Sequence, residues 1–292
     1  MNVGLTNILK RPRLGMLRRR GGAEPNVKRE SGRGPHRIQF KEFAPLNGQT
    51  LVLPTSKLGI IWSPKCACTK VVLWYFKMTG LLDAALFYHP WPHNYRMNVL
   101  YASDQYTRWV KTADWKNFTW YQFCRDPVKR ALSSYRHSLG QGHADERISR
   151  ALQRPASNVQ GYSLEEFLRY LEIERLAGPC DPHVKFQTQE LSKSVPVKII
   201  NIDEVDMLEQ MNVIERQHGL PITNFSSIKA FESDEKRRAK IGTHGAFSLS
   251  RVLTREDARG TWPLEASMLD TATIERIKRI YARDMKFIYG GG

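Results

Sequence analysis

Lys65 stands in the turn of Leu58-Gly-Ile-Ile-Trp-Ser-Pro-Lys-Cys-Ala-Cys-Thr69, and the residue types around it suit the capture of an anion. The apolar run 58–62 reads as a buried strand, Ser63 and Pro64 stop it, and Cys66, Ala67 and Cys68 are small enough for a close turn. Helix is predicted from about Thr69. The first N–H groups of such a helix lack intrahelical acceptors and point into the turn, where Lys65 adds a full positive charge. A phosphate or sulfate would be held there. A second unit follows the same plan: residues 118–125 read as strand, Asp126 as N-cap, and Pro127 as first helical residue, where its missing N–H costs nothing. Val128, Leu132, Tyr135 and Leu139 then mark a buried helical face, with Ser133 and Arg136 off it. Arg125 and Ser133, about two turns apart, can face one anion. The alternative is an Arg125–Asp126 ion pair capping a core helix.

The elements that must position these residues alternate in type. A strand pair is expected at 50–54 and 58–62 after the Asn47-Gly48 turn, and a helix at 69–79 stopped by Gly80. Residues 84–112 are aromatic and read as loop with at most one short helix. A short helix is expected at 145–152, and Ser163-Leu-Glu-Glu166 is a capping box opening a helix that Gly178-Pro179 ends. A strand at 195–202 and a helix at 203–218 come next, then basic and Gly-containing loops over 222–262. A last amphipathic helix at 271–288 carries Ile274, Ile277, Ile280, Tyr281, Met285 and Ile288 as its apolar set. Such alternation predicts an α/β fold with a largely parallel sheet, which binds ligands at its carboxyl edge.

An apolar content of 41% is enough for a sizeable core, organised as one domain over 46–292. Residues 1–45 form a basic arm: up to residue 41 eleven Lys and Arg face only Glu24 and Glu30, which accounts for +9 of the net +16. Such an arm reads as a solvated tail, as a contact for nucleic acid, anionic lipid or acidic polysaccharide, or, more weakly, as an organelle presequence. No secretory signal and no membrane-spanning window is read. Cys66, Cys68, Cys124 and Cys180 are too few and scattered for a disulfide framework, which suits a reducing compartment. A zinc site from Cys66, Cys68, Cys180 and His183 has C-x-C spacing, tighter than structural zinc uses, so no metal is expected.

Pro64-Lys-Cys-Ala-Cys-Thr69 resembles the 5′-phosphosulfate loop of sulfotransferases that use 3′-phosphoadenosine-5′-phosphosulfate (PAPS). Phe123-Cys-Arg-Asp-Pro-Val-Lys-Arg-Ala-Leu-Ser-Ser-Tyr135 is similar to their 3′-phosphate motif, R-D-P-x-x-R-x-x-S-x-Y. The resemblance is closest to the carbohydrate sulfotransferases of the chondroitin and HNK type, whose first loop usually reads P-K-x-A-C-T. Ile280-Tyr-Ala-Arg-Asp-Met-Lys-Phe-Ile-Tyr289 also resembles that family's last helix, Y-x-x-D-x-x-x-F-x-Y, with one residue fewer between Asp284 and Phe287. The loop lacks G-x-x-x-x-G-K-[ST], which argues against an ATPase or kinase.

This resemblance implies a P-loop-like three-layer fold, a central mostly parallel sheet flanked by helices. It implies transfer of a sulfuryl group from PAPS to a hydroxyl of a carbohydrate or glycolipid, releasing adenosine 3′,5′-bisphosphate, without a metal. Lys65, Cys66, Ala67, Cys68, Thr69 and Lys70 would hold the 5′ end, and Arg125 and Ser133 the 3′-phosphate, with Lys65 also neutralising charge on the leaving group. The run 235–245 would cover the nucleotide, with Arg237, Arg238, Lys240 or His244 reaching the 3′-phosphate, or else is a solvated basic face. A base for the acceptor is sought among His89, His93 and His183, the last in Asp181-Pro-His-Val-Lys-Phe-Gln187, which resembles D-x-H-W-x-P-Q with Val184 and Phe186 in place of Trp and Pro. Trp91, Tyr95, Trp109, Trp115 and Trp120 offer stacking surfaces, or are core. Golgi members of the family carry a membrane anchor and disulfides; neither is read here, and a cytoplasmic, bacterial-type setting is expected. The reading from a different class is a nucleic-acid or polyanion-binding protein using the arm.

Overall fold

The computed structural model describes residues 49–142, 144–154, 161–189, 191, 195–231 and 247–290. The basic arm and the basic run containing Arg238 lie outside the described residues. β1 (Thr50–Leu53) turns through a short 3-10 segment into β2 (Leu58–Trp62), and every residue of both strands is buried. A continuous apolar run such as β2 tolerates helices on both of its faces. Gly59 has a specific reason: it lies opposite Trp120, and a Cβ there would overlap the indole.

α1 (Cys68–Met78) buries six successive residues, Val71 to Phe76. It closes at Gly80, whose φ of +69° lets Leu81 N donate to Phe76 O at 2.8 Å. Residues 84–112 are not the loop that their aromatic content suggested. They form α2 (Leu82–Tyr88), α3 (Pro92–Tyr95), a π-helical turn (Arg96–Leu100) and α4 (Asp104–Thr112). Pro92 sits at the start of α3, where proline is harmless, and Tyr95 packs edge-on against Phe76 of α1 at 5.4 Å. Tertiary burial of Tyr95 and Tyr106 overrides their weak helix propensity.

β3 (Thr119–Cys124), α5 (Pro127–Gln141), α6 (Asp145–Ala151), β4 (Gly161–Tyr162) and α7 (Leu164–Ile173) follow. The capping box at Ser163 and Glu166 forms as read, but α7 ends at Ile173, ahead of Gly178, because Glu174 is extended. Then come β5 (Val197–Asn201), α8 (Met207–Gln217), β6 (Leu253–Thr254) and α9 (Arg255–Arg259). The last helix is two, α10 (Thr271–Ile280) and α11 (Ala282–Tyr289), bent at Tyr281. Two buried polar anchors pull the axis inward there: Tyr281 Oη donates to Val184 O at 2.9 Å, and Asp284 is fully buried.

The main sheet has the order β1-β2-β3-β5, with β1 antiparallel and β2, β3 and β5 parallel. Trp62 pairs with Phe123 and Phe123 with Ile200, so the carboxyl ends of the parallel strands lie level along one edge. One apolar cluster joins the sheet to α1–α4 and α8 through side chains such as Trp74, Tyr106 and Met211. Another packs α5 against α7, α9 and α10 through Tyr135, Phe167 and Ile277. The fold is therefore α/β, a mostly parallel central sheet flanked by helices, consistent with a P-loop-like architecture. Among the described residues no helix is long and apolar enough to cross a membrane.

Candidate active site

The first cradle begins where β2 ends. Cys66 N donates to Ser63 O at 3.1 Å and closes the turn. Lys65 (φ 71°) and Ala67 (φ 53°) are both left-handed, a conformation that costs a residue with a Cβ roughly 1–2 kcal/mol. α1 starts directly from Ala67, with no side chain capping it and no acidic residue in its first turn. An uncapped helix start and its dipole suit an external anion. Burial pushes the Cys66 thiol up to about 12 and also raises Cys68, which disfavours the thiolate that nucleophilic attack needs. Arg96 adds a second cation near the cradle, its guanidinium 5.1 Å above the Trp62 ring and its charge acting on Cys68.

The second cradle is built differently. Asp126 caps the start of α5, its Oδ1 accepting from Val128 N at 2.9 Å and Lys129 N at 3.0 Å. Arg125 does not pair with Asp126. Its Nε lies 3.5 Å from Asp203 Oδ1, which Lys129 Nζ also approaches at 3.4 Å. Half-buried Ser133 sits one turn beyond Lys129 on α5. Arg130, the second arginine of the motif, is 1% exposed and donates from Nε to Pro64 O at 3.1 Å, tying α5 to the first loop.

A strap of three residues crosses the carboxyl edge above both cradles. Gln187 is fully buried, and its Oε1 accepts from Cys66 Sγ at 3.0 Å and from Arg125 N at 2.9 Å, while its Nε2 donates to Arg125 O at 2.8 Å. Gln122 Nε2 donates to Gln187 O at 2.7 Å. Gln189 Nε2 donates to Trp62 O at 2.8 Å. Between them the chain bends so that successive groups meet one carboxylate: Thr188 N and Oγ1 donate to Asp284 Oδ1, which with Oδ2 also accepts from Gln187 N at 2.9 Å.

The histidines separate by environment. His93 is 5% exposed, with Nε2 buried and without a hydrogen-bond partner among the described residues, and burial together with the nearby Arg96 charge lowers it to about 3. His89 Nδ1 accepts from Trp91 N. His183 Nδ1 lies 2.8 Å from the buried carboxylate of Asp181, Ser134 Oγ donates to His183 O, and the ring of His137, one turn after Ser133, packs 4.1 Å from the His183 ring. Of the five aromatic residues offered for stacking, Tyr95 and Trp120 are core, Trp109 and Trp115 pack against it, and Trp91 is 46% exposed. The zinc arrangement does not form: among the described residues no group of three or more metal-ligating side chains converges, and Cys180 Sγ donates to Leu176 O. A cavity of about 710 Å³ lies elsewhere, between α7 and α10, walled by Leu171, Leu176, Phe186 and the Glu172–Arg276 ion pair.

Arg96, Arg130, Gln187, Gln189, Asp203 and Asp284 were not among the sequence-read site residues. Arg130, Gln187 and Asp284 each occupy a position spelled out in one of the four quoted motifs, which is the signal the sequence carries. A model of the Sulfotransferase family matches residues 49–289. No curated protein and no solved structure matches. With both cradles, the strap and Asp284 all inside the matched span, the chain belongs to the sulfotransferase family and is a sulfuryl-transferring enzyme.

Proposed function

We propose that the chain transfers a sulfuryl group from PAPS to a hydroxyl of a carbohydrate or glycolipid acceptor and releases adenosine 3′,5′-bisphosphate. The observation that carries this reading is the pairing of two unlike cationic cradles on adjacent parallel strands, tied through one glutamine. A nucleotide with a 5′ and a 3′ anionic group suits that pair; ADP, with one anionic end, uses only the first. PAPS supplies the activated sulfuryl group. Lys65 and the opening N–H groups of α1, with Cys66, Ala67, Cys68, Thr69 and Lys70 around them, neutralise charge that builds on the phosphate as the S–O bond breaks. Arg125 and Ser133 orient the nucleotide from its 3′ side.

The acceptor oxygen forms the new S–O bond and gives its proton to a base. We assign the base to His183 rather than His93. Asp181 orients the His183 ring through Nδ1, a carboxylate–imidazole pairing suited to taking up a proton, whereas an imidazole lowered to about 3 is too weak a base near neutrality. The carbohydrate acceptor rests on the motif resemblance, and a cytoplasmic setting on the four free thiols. Titration calorimetry tests the nucleotide: selective binding of adenosine 3′,5′-bisphosphate over ADP is expected, and equal binding would overturn the reading. Transfer of labelled sulfate from PAPS to a panel of glycans then tests the acceptor.

A further inference from the structure

The ladder between β2 and β3 stops at Trp62 and Phe123, short of both cradles, so the sheet alone does not set their separation. The loop at 63–67 and the chain at Arg125 run on beyond it. Beside the Arg130–Pro64 bond that ties α5 to the first loop, one oxygen bonds to both: Gln187 Oε1 accepts from Cys66 Sγ on one side and Arg125 N on the other. The same side chain's Nε2 returns a bond to Arg125 O, so Gln187 holds both backbone groups of Arg125 as a neighbouring strand would. Its own backbone is fixed by Gln122 below and Asp284 above. Only a side chain of this length carrying both an acceptor with two lone pairs and a donor satisfies that set.

We infer that Gln187 is a positioning residue that sets the distance between the two anion cradles, and so confers preference for ligands carrying both anionic groups on one nucleoside. This rests on the function proposed above. Two anions on one rigid ligand bind far better than either alone only when the two sites have the matching separation; a shift in spacing removes the gain and leaves each site intact. A purely structural glutamine would weaken all ligands together.

The test compares three probes, adenosine 3′,5′-bisphosphate, adenosine 5′-monophosphate and adenosine 3′-monophosphate, by calorimetry on the full chain. Gln187→Met keeps length and removes every side-chain hydrogen bond. It is expected to weaken the bisphosphate about tenfold or more and each monophosphate less than about twofold. Cys66→Ala removes the bond from Gln187 to the first loop, with a long Sγ contact to Pro64 O inside that loop, and is expected to give the same pattern at about threefold, whereas Cys66→Ser, which keeps a donor, restores the wild-type ratio. Should Gln187→Met not fold, the Cys66 pair decides. An equal loss for all three probes, or no loss for the bisphosphate, overturns the inference while leaving the proposed function standing. A wild-type chain that does not prefer the bisphosphate over ADP overturns both.

Discussion

The β2–α1 and β3–α5 units share a topology and differ at the helix start. α1 opens from an uncapped Ala67 through two left-handed residues, and no acidic side chain occupies its first turn. α5 opens from Asp126, which caps it, and proline follows. The first helix therefore presents an uncapped start and its dipole to a ligand, at a cost in local stability. The second satisfies its own N-terminus and leaves anion binding to side chains, with Arg125 and Lys129 balanced against Asp203. Charge building during displacement sits best against rigid backbone dipoles and Lys65; a spectator phosphate needs only orientation. Strain lies on the side of the molecule where the reaction is proposed to occur.

Substitutions in the two units are expected to separate on that basis. Lys65→Ala should lower kcat about a hundredfold or more with bisphosphate affinity less affected, because its charge acts mainly in the transition state. Arg125→Ala should instead lower bisphosphate affinity about tenfold or more and leave ADP binding unchanged; steady-state kinetics beside calorimetry reads both. Similar kcat and affinity losses in the two variants would erase the distinction between the cradles.

Placing a cap where the first unit has none sharpens the contrast. Ala67→Asp puts a carboxylate at the start of α1, in a left-handed conformation aspartate tolerates. Nucleotide affinity should fall about tenfold while thermal stability holds or rises, and a tighter-binding variant would contradict the role given to the open N-terminus.

His93 supplies a pH test near the first unit. Its folded-state value, about 3, lies below the ordinary 6.5, so the unfolded chain binds the extra proton first. Its contribution is fully present above about 6.5 and is lost as pH falls toward 3, by up to about 1.4 kcal/mol per pH unit. Denaturant melts of His93→Gln should show a flatter stability profile between pH 6.5 and 4 than wild type. An unchanged slope would show that the imidazole is not held neutral by burial.

The smallest effect is expected at the second helix. Asp126→Ala removes a cap that serves Val128 N and Lys129 N and also accepts from Tyr289 Oη. A loss of about 1–2 kcal/mol in unfolding free energy, with bisphosphate affinity within about threefold, is expected from chemical denaturation and calorimetry. A large loss of affinity would mean that this helix start, like the first, meets the ligand.

Much of this arrangement was legible in the sequence because its determinants act over a few residues. The strand ends at Trp62 and Cys124, the Asp126 cap, the Ser163 capping box and the Gly80 stop are all local stereochemistry. Residues 84–112 were misread because their helices are stabilised by packing on α1, which no window along the chain contains. The bend at Tyr281 was hidden for the same reason: the polar groups that cause it answer Val184, Gln187 and Thr188.

By itself the sequence determined two strand-turn-helix units, the cations placed at them and an α/β order of elements, since caps, breakers and hydrophobic period speak locally. Tertiary structure alone decided that Arg125 faces Asp203 rather than Asp126, that Arg130 is buried against Pro64, and that one glutamine spans both cradles. Those contacts join residues from 62 positions apart, between Gln187 and Arg125, to 121 apart, between Gln187 and Cys66. Their partners are chosen by sheet register and buried hydrogen-bond satisfaction, which exist only once the chain has folded.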